Sequence, residues 1–182
     1  MAGMSVQPKL VSIRDAATVL LRMHAELFGP RPLRSLFDLC KIRMRDGRDG
    51  ERAWLEWMYF GLFVFVDGIQ DNFPVSSNVG VGVAIARELL SQFQFHATKV
   101  MPSLTTIQQE IDERIKRYET AGAEHYERIG FAAAAAVLGL EAAPGTVPQS
   151  LEAFEFSIGA NKFHIGALKA VNDFFKEYRI ET

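Results

Sequence analysis

Trp57-Met58-Tyr59-Phe60-Gly61-Leu62-Phe63-Val64-Phe65-Val66 is the most apolar stretch of the chain, and how it is read decides the fold. Glu56 and Asp67 bound it, which leaves it far short of the ~20 apolar residues that a membrane-spanning helix needs. The run is therefore core. Extended to Glu51 at one end and Asn72 at the other, the segment is apolar around most of its circumference, the pattern of a helix in the middle of a bundle. Aromatic and β-branched residues crowd Tyr59 to Val66, so a buried strand at 59–66 is the alternative.

Reading outward from this segment, Pro and Gly divide the rest of the chain into further helices. On the N-terminal side, Ser12 can cap a helix whose Ile13, Ala17, Leu20, His24 and Leu27 share one face, stopped by Gly29 and Pro30. Pro32 suits the first turn of a second helix with Leu33, Leu36, Phe37, Cys40 and Met44 as its stripe. Two Asp-Gly pairs, Asp46-Gly47 and Asp49-Gly50, mark a charged turn before the apolar segment. Beyond Pro74, one of Ser76, Ser77 and Asn78 can cap a helix running from Val79 to about Lys99.

After Pro102, Leu104, Ile107, Ile111, Ile115 and Tyr118 recur at intervals of three and four, and Glu110–Arg114, Asp112–Lys116 and Glu113–Arg117 form i,i+4 pairs opposite them. Gly122 interrupts, and an alanine-rich helix from about Glu124 to Leu138 permits close approach between helix axes. Residues 142–148 read as a loop. A short helix is expected near Leu151, Phe154 and Ile158, although 153–158 also alternates like a strand. Asn161 then caps a last helix striped with Phe163, Ala167, Val171, Phe174 and Tyr178. The expected fold is all-α: a compact single-domain bundle of about six or seven helices over residues 1–182, with one central buried apolar helix and a flexible N-terminal segment at 1–11.

Composition narrows the function classes more than it names one. The 182 residues (20.4 kDa) are 48% hydrophobic, enough for one core, and carry a formal charge of -2, so no overall basic field draws the chain to nucleic acid or to an anionic membrane. Arg43, Arg45, Arg48 and Arg52 beside Trp54 and Trp57 make a local basic spot, which Asp46, Asp49 and Glu51 largely cancel. The start of the sequence shows no apolar leader run, and a single cysteine, Cys40, suits a reducing compartment, so a cytoplasmic location is expected.

Motifs for chemistry are sparse. No paired Glu-x-x-His or His-Glu-x-x-His occurs, so no metal ligands and no cofactor are assigned. Gly80-Val81-Gly82 lacks the third glycine and the β-α-β frame of a dinucleotide loop, Arg48 stands where a calcium loop needs an acid, and no nucleophile elbow is present. Cys40 falls on an apolar helical face, where a thiol is inert.

Two functional expectations remain, with enzymatic activity leaning towards no. The first is a cytoplasmic helical protein that acts through protein–protein interaction or regulation and self-associates, with Phe163, Val171, Phe174 and Tyr178 as candidate interface residues; its partner is a copy of itself or another protein. The alternative is a protein or enzyme that takes a small apolar ligand in an aromatic-lined pocket, since the chain has 14 phenylalanines facing small Gly and Ala faces. His24 and Asp67 supply its polar contacts, and Trp57 and Phe63 its walls.

Overall fold

The computed structural model describes residues 8–43, 47–74, 79–100, 107–140 and 145–181. They form an all-α bundle in the order β1 (Lys9–Val11), α1 (Ile13–Phe28), α2 (Pro30–Leu39), α3 (Arg48–Asn72), α4 (Val79–Val100), α5 (Ile107–Glu124), α6 (Arg128–Leu138), α7 (Leu151–Glu177) and β2 (Tyr178–Ile180). The two short strands pair in parallel, with Lys9 opposite Tyr178 and Val11 opposite Ile180. Residues 9–11 are thus tied to the C-terminal strand and are not a flexible lead, because Val11 and Ile180 pack on the core beside the ladder.

The central segment is helix, and every residue from Tyr59 to Val66 is buried. The helix is wrapped by α1, α4, α5, α6 and α7, so Tyr59–Val66 has no solvent face and no reason to show polar periodicity. At ~1.5 Å per residue, its 25 residues give an axis of about 37 Å that organises the rest. The helix begins at Arg48, so the second Asp-Gly pair is already helical and only Gly47, at φ 67°, takes a positive turn conformation.

Local signals explain most helix starts. Ser12 Oγ accepts the Asp15 amide at 3.1 Å, Ser150 Oγ accepts the Ala153 amide at 3.2 Å, and Pro30 opens α2. Two sequence expectations fail for packing reasons. Gly122 lies inside α5, because Ile129 crosses it closely, and the break falls at residues 125–127. Asn161 does not cap a helix: α7 runs unbroken from Leu151, and Asn161 Nδ2 instead donates to the Glu127 carbonyl at 3.1 Å. Residues 153–158 are helix, as expected, and the strand alternative falls away, although the helix is one continuous element with the last one. Met44, Arg45, Asp46, the caps at 76–78, Pro102, Leu104 and residues 142–144 lie outside the described residues.

Two glycines set helix spacing. A Cβ on Gly130 of α6 would meet the Ser157 carbonyl of α7 at 2.5 Å, so these axes approach as closely as backbone allows. On α3, Gly61 makes room for α1: its Cβ would lie 2.6 Å from Phe28 Cδ2 and 2.8 Å from His24 Nε2. No described helix is long and apolar enough to cross a membrane.

Candidate functional site

Gly61 lets His24 sink completely beneath the surface between α1 and α3. Its Nε2 lies 2.9 Å from the Met58 carbonyl, so the neutral ring donates there and Nδ1 is left buried without a hydrogen bond among the described residues. Phe28 stacks on the imidazole at 5.7 Å, while Phe65 and Phe93 present their edges. Burial pushes its pKa down to about 4, and the Met58 carbonyl opposes that only partly. His24 is therefore neutral at pH 7, an apolar-packed floor group with no charge to offer.

Above this floor lies a cleft of about 440 Å³ between α1, α3 and α4. Leu21 and Ala25 form its α1 wall, Trp54, Leu55 and Met58 its α3 wall, and Phe93 and Ala97 its α4 wall. Thr18 Oγ1 donates to Gln92 Oε1 at 3.1 Å and Gln92 Nε2 donates to the Arg14 carbonyl at 3.3 Å, which pins α1 to α4 at one end. Arg22 and His96, both exposed, join the buried His24 as the basic residues of the lining, and no acidic residue is among the described residues that line it. Arg22 makes no ion pair among the described residues.

The other residues singled out from sequence do not join this cleft. Asp67 is nine positions after Met58, about half a turn out of phase on α3, so it faces the opposite side of the helix. There its carboxylate lies 3.8 Å from Nε2 of the fully buried His164, beyond hydrogen-bond reach, and Tyr126 stacks on that imidazole at 4.7 Å. Burial, with the Asp67 charge second, raises the Asp71 carboxyl. Both ring nitrogens of His164 lack a hydrogen-bond partner among the described residues. Trp57 and Phe63 are core: Trp57 packs against Phe28, Phe60, Phe156 and Phe163, and Phe63 against Tyr118 and His164.

The C-terminal stripe is also turned inward. Val171 is 0% and Phe174 4% exposed, Phe163 packs on Trp57 and Phe28, and Tyr178 stacks on Phe174, so the chain's own core already occupies these four side chains. Cys40 is buried, and desolvation followed by the Glu155 charge raises its thiol pKa, in keeping with an inert role.

Sequence reasoning missed the pair that links α3 to α5. Arg114 Nε donates to both Glu56 oxygens at 2.9 and 2.7 Å, and its Nη2 to Oε1 at 2.6 Å, with Glu56 almost fully buried. Tyr59 donates to Glu110 at 3.0 Å from the same side of α3. The isolated Glu56 between two tryptophan-bearing turns was the available signal: a carboxylate at a core position needs a cationic partner. Among the described residues no group of three His, Cys, Asp or Glu is placed to hold a metal ion. Comparison with protein-family models, with curated proteins and with solved structures finds no match.

Proposed function

We propose that the protein binds an organic anion with an elongated apolar body, such as a medium-chain carboxylate, in the α1–α3–α4 cleft. The observation that carries this reading is the charge pattern on an otherwise apolar site: Leu21, Trp54, Leu55, Met58 and Phe93 line the cleft, while Arg22 and His96 are its exposed basic residues and no acid is among the described residues of the lining. An apolar chain gains roughly 0.8 kcal/mol per buried CH₂, and its carboxylate meets Arg22 at the surface, where it keeps much of its hydration. His24 contributes shape and not charge, so the ligand's polar end faces outward. A cytoplasmic setting, supported by the lone unpaired Cys40, completes the reading.

Displacement of 8-anilinonaphthalene-1-sulfonate by decanoate, followed by fluorescence, tests it. Decanoate displaces the dye from the wild-type chain; Ala25→Phe, which fills the cleft from its solvent side, abolishes dye and decanoate binding with unchanged helicity. Arg22→Glu weakens decanoate about threefold to tenfold and leaves decanol unaffected, the size of an exposed charge contact. Equal affinities for wild type and Ala25→Phe would overturn the assignment.

A further inference from the structure

The outer face of α7 carries a second apolar stripe, independent of the one buried against α3. Leu151 (68% exposed), Phe154 (39%), Ile158 (43%) and Ile165 (59%) follow spacings of three, four and seven, so they line one side of the helix over about 21 Å. Phe131 of α6 supports Phe154 from the flank at a ring distance of 6.2 Å. Glu155 and Lys162 are exposed along one margin of this stripe, and neither forms an ion pair among the described residues.

The order of these residues is self-complementary. When two copies of α7 lie antiparallel about a two-fold axis through Ile158, residue numbers facing each other sum to about 316. Ile158 then meets Ile158, Leu151 meets Ile165, and Glu155 meets Lys162 of the second copy. At ~100° per residue Glu155 and Lys162 stand about 60° and 40° to the same side of Ile158, and the two-fold operation keeps that side in common. Opposite charges therefore face each other twice across the seam. A parallel two-fold pair would instead put the Glu155 and Lys162 of the two copies on opposite margins of the seam, where no charges pair. Charge order thus selects both a partner, a second copy of this chain, and a direction.

We infer that the protein self-associates as a two-fold dimer through the outer face of α7, with Leu151, Ile158 and Ile165 as its apolar seam and reciprocal Glu155–Lys162 pairs as its register. Four turns of helix make a small interface, so the association is weak and concentration-dependent. The α1–α3–α4 cleft takes no part in it, and neither outcome of its binding test bears on the dimer.

Sedimentation velocity of the full chain over a wide concentration range tests the inference. Wild type shifts from 20.4 kDa towards twice that mass as concentration rises. Ile158→Glu, at a position open enough to leave folding intact, places two carboxylates at the axis and raises the dissociation constant at least ~10-fold. Glu155→Lys and Lys162→Glu each weaken the dimer, and the double exchange restores it, because the pair is reciprocal. Circular dichroism of each variant confirms helicity. A monomer at every concentration, a dimer insensitive to Ile158→Glu, or a double exchange weaker than both single variants would overturn it.

Discussion

Replacing Gly61 with alanine should loosen the α1–α3 contact on which the cleft floor depends. An alanine Cβ gains up to ~1 kcal/mol of helix propensity over glycine, so the substitution would stabilise an exposed helix. At Gly61 the new atom comes within 2.6 Å of Phe28 Cδ2 and 2.8 Å of His24 Nε2, and closer still to Phe28 Cγ. Ordinary carbon contacts lie at about 3.5–4.0 Å, so both side chains must retreat by about 1 Å. Phe28 is clashed at the root of its ring and is held by Trp57, Phe60 and Phe65, so rotation alone gives no relief.

Overpacking of this kind costs about 1–3 kcal/mol or more, and displacing His24 from the Met58 carbonyl adds about 1 kcal/mol. After the propensity gain the net loss is about 1–3 kcal/mol, or a fall of some 2–12 °C in Tm at this chain length. Gly166 supplies the internal control. It is exposed on α7 with nothing within 4 Å of its Cβ position, so Gly166→Ala stabilises by up to ~1 kcal/mol. Urea unfolding followed by circular dichroism reads both. A Gly61→Ala chain as stable as wild type would refute the close approach of α1 to α3.

Three further outcomes follow from the buried polar groups. Arg114→Met strands the Glu56 carboxylate and costs about 3–5 kcal/mol by urea unfolding, whereas the Glu56→Leu, Arg114→Met double variant recovers most of that; equal losses would deny the pair. Because the folded His24 pKa lies near 4 against 6.5 for the free side chain, only the unfolded chain takes up this proton between those values. Stability from His24 is complete above pH 6.5 and falls by roughly 3 kcal/mol as pH drops to 4, a slope that His24→Gln removes from a urea series; an unchanged slope would contradict it. His164→Phe relieves two buried ring nitrogens that lack hydrogen-bond partners among the described residues and raises stability by about 1 kcal/mol or more; a loss would show that the contact with Asp67 outweighs their desolvation.

How much of this was legible in the sequence follows from which residues face water. The stripes of α1 and α5 stand out because each helix has a solvated side, and the Ser12 cap needs only local chemistry. The run Tyr59–Val66 conceals its helical period because all of it is buried, so only its length and neighbours argued for helix. Asn161 and Gly122 misled as boundary signals, since a cross-helix hydrogen bond and a packing contact now account for them. The same limit applies to the site. His24 was visible as a break in an apolar stripe, but its neutral, floor-bound state depends on Met58 and Gly61, residues 34 and 37 positions away. Arg22 and His96 come together only when α4 folds back on α1. Asp67 read as a polar contact of the same pocket as His24, but helical phase places it on the other side of α3.

Backbone amide chemical shifts recorded during a decanoate titration show whether the ligand enters the α1–α3–α4 cleft. Saturable shifts are expected in residues 18–25 of α1, 54–58 of α3 and 92–97 of α4, with Asp67, His164 and the outer face of α7 unmoved. Shifts centred elsewhere, or none up to the solubility limit of decanoate, would contradict binding in this cleft.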